Sequence, residues 1–159
     1  MNAGAHANRT RLLIPHRVAG DAGEVFARFT RELFELLAPS FPPARLLRYD
    51  GNRVGDLVEI RLGIGPVGAT WVSEITEHVV EDARCWFVDE GRRLPPPLTY
   101  WRHKHLIEQE REGEVVITED ITFAAGPALL TRAMRPLIRR QFEARGPAYR
   151  AYFGAPPAG

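Results

Sequence analysis

Trp101-Arg102-His103-Lys104-His105 and, ten residues further on, Val115-Val116-Ile117-Thr118-Glu119-Asp120-Ile121-Thr122-Phe123 decide how this chain folds. Both stretches alternate with a period of two, the repeat of a strand with two unlike faces. The short glycine-containing segment between them makes them antiparallel neighbours. Two registers compete. In the first, Glu110 faces Glu114 across the loop Arg111-Glu112-Gly113, and Gly113 occupies the last loop position, which favours positive φ. That register pairs Trp101 with Phe123, His103 with Ile121, His105 with Glu119 and Ile107 with Ile117. It leaves Arg102, Lys104, Thr118, Asp120 and Thr122 on the opposite face, with Lys104 across from Asp120. The second register, shifted by one, puts Ile121 with Arg102 and Glu119 with Lys104 on a face shared with Leu106. A one-residue slip exchanges the faces of a strand, so the clean sorting favours the first. It turns His103, His105 and Glu119 toward an otherwise apolar interior.

The pattern around this hairpin is consistent with one sheet. Arg11 to Val18 reads as a first strand, with Pro15 demanding an edge position or a bulge. Asp21 offers a helix cap and Glu24 completes a capping-box spacing. Val25, Phe26, Phe29, Leu33, Leu36 and Leu37 then follow at helical spacing, as one helix or two short ones, ending before Pro39-Ser40-Phe41-Pro42-Pro43. From residue 44 to 123 the period is two. Leu46 to Tyr49, Leu57 to Leu62, Trp71 to Thr76 and a short Cys85–Asp89 segment precede the opening pair, joined by Gly- and Pro-rich turns. Residues 128 to 153 return to helical spacing, with Leu130, Ala133, Met134, Leu137, Gln141, Phe142, Tyr149 and Tyr152 on one face. Pro136 is expected to kink this helix and Gly146-Pro147 to interrupt it. Strands segregated from helices define an α+β domain of six or seven strands. It is expected to span residues 11–153, with residues 1–10 and 154–159 as disordered ends.

The chain has 159 residues, 45% of them hydrophobic and 26% charged, enough for one domain with a real core. A formal net charge of +1 argues against a dedicated nucleic-acid binder. Cys85 is the only cysteine, so an internal disulfide is excluded and a reducing cytoplasm is the expected location. No apolar run approaches the roughly 20 residues of a membrane helix, and the N-terminal residues lack the apolar core of a signal peptide. A homodimer is left open.

Gly55-Asp56-Leu57-Val58-Glu59-Ile60, Trp71-Val72-Ser73-Glu74-Ile75, Phe87-Val88-Asp89-Glu90, Trp101-Arg102-His103-Lys104-His105 and Glu119-Asp120-Ile121-Thr122-Phe123, in this order of elements, resemble the SRPBCC or START-like helix-grip superfamily. The resemblance is greatest to its small bacterial ligand-binding members and extends from about Arg11 to Phe153. It implies a curved antiparallel sheet wrapped around a long C-terminal helix, with a ligand cavity between them. Carriers, receptors and polyketide cyclases or dehydratases share that fold, so it implies no reaction. The proline-rich loop Leu94-Pro95-Pro96-Pro97-Leu98 and the interrupted last helix depart from the pattern, both where such proteins have the cavity mouth.

The expected ligand is a small hydrophobic or aromatic molecule, and no cofactor is implied. Its expected contacts are Trp71, Phe87, Trp101, His103, His105, Glu119, Ile121, Phe123, Met134 and Phe142. His103, His105 and Glu119 are the candidates for orienting a ligand carbonyl or hydroxyl, or for acid–base catalysis in a cyclase- or dehydratase-like enzyme. The same three are equally readable as a satisfied buried cluster. His-x-His on a strand also suits a metal, but no metal is expected, because no further ligand stands out nearby. Asp89 and Glu90 read as solvated carboxylates at a strand end, with Asp89 alternatively reaching the cavity. Arg132, Arg135, Arg139, Arg140, Arg145 and Arg150 read as a solvated helix face, or else as an attraction for anionic ligands or a partner. The Pro95–Pro97 loop and the Gly63–Gly68 turn are candidates for a lid and an opposing gate.

Overall fold

A computed structural model describes residues 8–40 and 42–158. Phe41, Gly159 and most of the expected N-terminal disordered segment (1–7) lie outside the described residues. The chain runs β1 (Thr10–Ala19), α1 (Ala22–Ala27), α2 (Arg31–Leu36), β2 (Ala44–Tyr49), β3 (Leu57–Leu62), β4 (Ala69–Val80), β5 (Arg84–Arg93), β6 (Leu98–Arg111), β7 (Glu114–Ala125), α3 (Ala128–Glu143) and α4 (Gly146–Phe153). The strands form one seven-stranded sheet in the order β1-β7-β6-β5-β4-β3-β2, with every neighbouring pair antiparallel. Register shifts in β2 and β4 mark bulges, which bend the strands and add curvature. This is the α+β class that the sequence pattern implied, in the helix-grip arrangement that the resemblance implied.

The local causes are legible. β1 buries Leu12, Ile14, His16 and Val18 and exposes the residues between them. Pro15 is tolerated because β1 is an edge strand, paired only with β7. The Asp21 carboxylate accepts from the backbone N–H of Gly23 at 2.9 Å and of Glu24 at 3.3 Å, capping α1. The expected helical stretch is two helices, because Thr30 is extended between them. The last helix is also two. α3 continues through Pro136, and the break falls at Ala144-Arg145, directly before Gly146-Pro147. There Pro147 stands in the first turn of α4, where its missing N–H leaves no helical bond unmade.

The opening hairpin has the favoured register: Trp101 faces Phe123, His103 Ile121, His105 Glu119, and Ile107 Ile117. Its turn is tighter than expected. Arg111, not Glu110, faces Glu114, and the register shifts between Gln109 and Arg111. Bulging Glu110 out keeps two carboxylates from standing opposite each other. Glu110 bonds Arg17 instead, and Arg111 takes Glu114. Lys104 faces Asp120 as expected, but the Asp120 carboxylate is held by Arg11 through two 2.7 Å bonds. The Lys104 ammonium lies over the Trp86 ring instead.

A second correction concerns β5. It does not end at Asp89 but continues to Arg93, so Asp89 is a mid-strand residue directly across from His103. No described helix is long and apolar enough to cross a membrane.

Candidate functional site

Cys85, Phe87 and Asp89 alternate onto the inner face of β5, beside Ile107, His105 and His103 of β6. On β7, Glu119 stands across from His105. Two carboxylates and two imidazoles thus meet on three adjacent strands, all buried. His103 donates through Nε2 to Glu119 Oε2 at 2.6 Å, and His105 donates through Nε2 to Asp89 Oδ2 at 3.0 Å. The other nitrogens cross over: His103 Nδ1 is 3.5 Å from Asp89 Oδ2, and His105 Nδ1 is 3.7 Å from Glu119 Oε2. The imidazole centroids are 3.8 Å apart, and the outer face of His105 stacks on Phe87 at 4.2 Å.

The helices complete the cluster. Arg145, at the junction of α3 and α4, donates to Glu119 Oε1 at 3.0 Å, and the Tyr149 hydroxyl of α4 donates to the same oxygen at 2.7 Å. Glu119 therefore accepts three bonds, a saturation that a fully buried carboxylate requires. Burial works to raise its carboxyl, but Arg145 and His103 outweigh burial and hold it well below the usual carboxylate range. Asp89 is also lowered: burial opposes ionisation, and the bonds from His105 and Ser73 together with the charge of His103 overcome it. The Ser73 hydroxyl in turn accepts from Trp71 Nε1 at 3.0 Å. His105 is pushed down to about 4 by burial and by its neighbour His103, so it is neutral near pH 7. Tyr149 is raised well above its ordinary value by burial and the adjacent Glu119.

These groups close the inner end of a cavity of about 450 Å³ between the sheet and α3. Its walls are largely apolar, with Leu46, Val58, Ile60, Trp71, Ile75, Phe87, Trp101, Met134, Leu137 and Phe142 among them. Asp89, His103, His105, Ser73, Gln141 and Arg145 contribute the polar surface. Pro95, Pro96 and Pro97 border the cavity on one side, and Gly63 and Val67 of the β3–β4 turn on another. The segments expected as lid and gate are thus both part of its wall. Trp71 and Trp101 meet edge to face at 4.7 Å, giving one end of the chamber an aromatic surface.

Of the residues expected to contact a ligand, Trp71, Phe87, Trp101, His103, His105, Met134 and Phe142 line the cavity. Glu119, Ile121 and Phe123 do not; they lie behind the lining, fully buried. Glu119 acts on the cavity only through His103 and Arg145.

Two residues of the cluster were read differently from sequence. Asp89 is not a solvated strand end but a buried partner of both histidines. Continuing the alternation Cys85-Phe87-Asp89 would have found it. Arg145 is not part of the solvated basic face. Arg132, Arg135, Arg140 and Arg150 are exposed, whereas the Arg145 side chain is 19% exposed and ion-paired to Glu119. The three-residue step from Phe142 to Arg145 was the available signal. A third metal donor does stand beside the two histidines: one donor atom from each of Asp89, His103 and His105 lies within 4.8 Å of the other two.

No family model matches the chain, and no curated protein matches it. Solved structures do. The two-domain aromatase/cyclase StfQ of the steffimycin biosynthetic pathway superposes with a TM-score of 0.66 at 15% identity, over 91% of this chain. The chain spans 50% of that protein's length. Norcoclaurine synthase of Thalictrum flavum gives a TM-score of 0.64 at 15% identity, covering 89% of this chain and 90% of that one. A START superfamily protein from Mycobacterium smegmatis gives 0.57 at 12% identity, covering 87% and 97%. The chain has the START-like helix-grip fold. At these identities the likeness extends to the fold alone, and the site must be read from its own residues.

Proposed function

We propose that this START-like protein binds a small, mostly apolar molecule in the cavity beneath α3, with one polar group of that molecule meeting His103, His105, Asp89 and Arg145. The observation that carries the reading is an apolar chamber of about 450 Å³ whose buried end holds convergent donors and acceptors. Ligand sites are of this size and kind, with apolar walls for affinity and a few fixed polar groups for orientation. Burying apolar ligand surface contributes roughly 25 cal/mol per Å², less the cost of ordering the partners. A flat ligand with a carbonyl, enol or phenol at one edge suits the Trp71–Trp101 surface and the polar end together. The lone cysteine supports a cytoplasmic location for this binding.

Native mass spectrometry of protein taken from cell extract, followed by denaturation, tests the reading. A bound mass that is released on denaturation, and that decreases when Trp71 or Trp101 is replaced by Ala, is the expected result. Protein that carries no ligand and neither binds nor shields its tryptophans from aromatic probes would overturn it.

A second reading is favoured by the His105–Asp89 pair on the cavity wall. A histidine–carboxylate pair on the wall of an apolar chamber supplies titratable groups for the proton transfers that poly-β-keto cyclisation or dehydration requires. Solved structures of the same fold are described as aromatase/cyclases. Turnover of a poly-β-keto substrate, abolished by Asp89→Asn or Glu119→Gln in folded protein, distinguishes catalysis from binding alone.

A further inference from the structure

We propose that Asp89, His103 and His105 form a binding site for a divalent transition metal of the zinc type at the inner end of the cavity. Asp89 Oδ2 is 3.5 Å from His103 Nδ1 and 3.0 Å from His105 Nε2. Ligand atoms bound roughly 2.0–2.2 Å from a zinc ion stand roughly 3–3.5 Å from one another. These two separations therefore already have the lengths of polyhedron edges around a metal.

The far nitrogens supply a second argument. Both imidazoles turn one nitrogen toward Asp89 and the other toward Glu119. Ligating histidines are commonly held this way, with the distal N–H donated to an outer carboxylate. Glu119 is itself fixed by Arg145 and Tyr149. His105 Nδ1 is buried and has no hydrogen-bond partner. With the single proton of neutral His105 on Nε2, Nδ1 presents a bare lone pair toward a carboxylate. Metal at Nε2 would displace that proton to Nδ1, where Glu119 Oε2 can accept it. The orphaned atom is then accounted for.

The placement of the ligands points the same way. All three ligands line the cavity, so a remaining coordination position faces its interior. Two imidazoles and one carboxylate with an open position characterise sites that take up a substrate oxygen, not closed structural sites.

The inference stands apart from the ligand reading, because metal can be titrated with no organic molecule added. Chelator-treated, tag-free full-length protein would be titrated with Zn²⁺ by calorimetry and with Co²⁺ by visible absorption. One equivalent is expected to bind, with the d–d absorption of a low-coordinate nitrogen–oxygen site. Asp89→Asn and His105→Gln should each weaken zinc binding more than about 100-fold, and Glu119→Gln about 10-fold. Circular dichroism would confirm that the variants are folded. The Co²⁺-loaded wild type supplies a test that needs no variant: proton NMR should show hyperfine-shifted signals from two imidazoles. No stoichiometric binding by the wild type, shifted signals from fewer than two imidazoles, or binding that persists in both folded ligand variants would overturn the proposal. Such an outcome leaves the organic-ligand reading standing on its own mass-spectrometric test.

Discussion

The two ends of the helix–sheet interface use the same alternating strands and reach opposite results. At one end α1, α2 and α4 close over Val18, Ile107, Val115 and Ile117, and Phe29, Leu33, Tyr149 and Phe153 fill the space to form a dry core. At the other end α3 rests chiefly on β7 and β1, and the inner faces of β3 and β4 line a chamber. Inward apolar residues form a core where a helix is close enough to interdigitate, and a cavity wall where it is not. The His–Asp–Glu cluster stands at the boundary. Its Glu119 side is sealed by Arg145 and Tyr149, and its Asp89 side opens to the chamber.

The largest break in this arrangement should come from opening the sealed side. Arg145→Met leaves Glu119 buried with an uncompensated charge and should cost about 4 kcal/mol in urea unfolding. Adding Glu119→Gln to Arg145→Met should recover part of that loss. An additive double variant would mean that the pair is not coupled.

Acid should act on the boundary next. His105 is lowered from 6.5 to about 4 by burial and by His103, with Asp89 and Glu119 opposing the shift. The unfolded chain therefore binds the proton more readily, and stability falls as pH drops from about 6.5 to about 4, by at most about 3 kcal/mol. His16, lowered by burial, acts with the same sign. The lowered carboxylates of Asp89 and Glu119 act in a lower window: their contribution is present above their unfolded values and is lost as pH falls through their folded ones. Unfolding measured from pH 7 to pH 4 should show the slope, and His105→Gln should flatten it. An unchanged slope in that variant would assign the effect elsewhere.

A matched pair of truncations sharpens the comparison itself. Leu33→Ala, in the dry end, should cost about 3 kcal/mol and leave ligand binding unchanged. Ile60→Ala, on the cavity wall, should cost less than about 1 kcal/mol, because the space beside it is already open, and should weaken binding. Equal costs would show that the chamber is packed shut in solution. The smallest effect should come from the outer surface of α3. Arg139, paired with Glu143 at 3.3 Å, should change stability by less than about 0.5 kcal/mol on replacement by Ala, since exposed i,i+4 pairs contribute little.

Much of this was legible from residues alone. Period-two alternation with Gly113 at the turn established the β6–β7 register, because only one register sorts the faces. Asp21 and Gly146-Pro147 marked helix boundaries for local reasons of capping and missing N–H groups. Other features were not legible. Asp89 looks like a strand end, because nothing local says that β5 continues; pairing with β6 carries it to Glu90 and pairing with β4 to Arg93. Arg145 looked like one more surface arginine, because its partner is 26 residues away on another element. Glu110 reads as facing Glu114, but Arg17 of β1, on the far side of β7, takes it.

The sequence by itself determined the sheet, its register at the central hairpin, the order of helices, and the inward aim of His103, His105 and Glu119. These follow from periodicity and turn chemistry, which act over a few residues. Only the tertiary structure decided which inward residues face the chamber and which lie behind it, and which cation neutralises Glu119. Those outcomes depend on where α3 and α4 come to rest on a curved sheet, and that is set by packing between segments far apart in the chain.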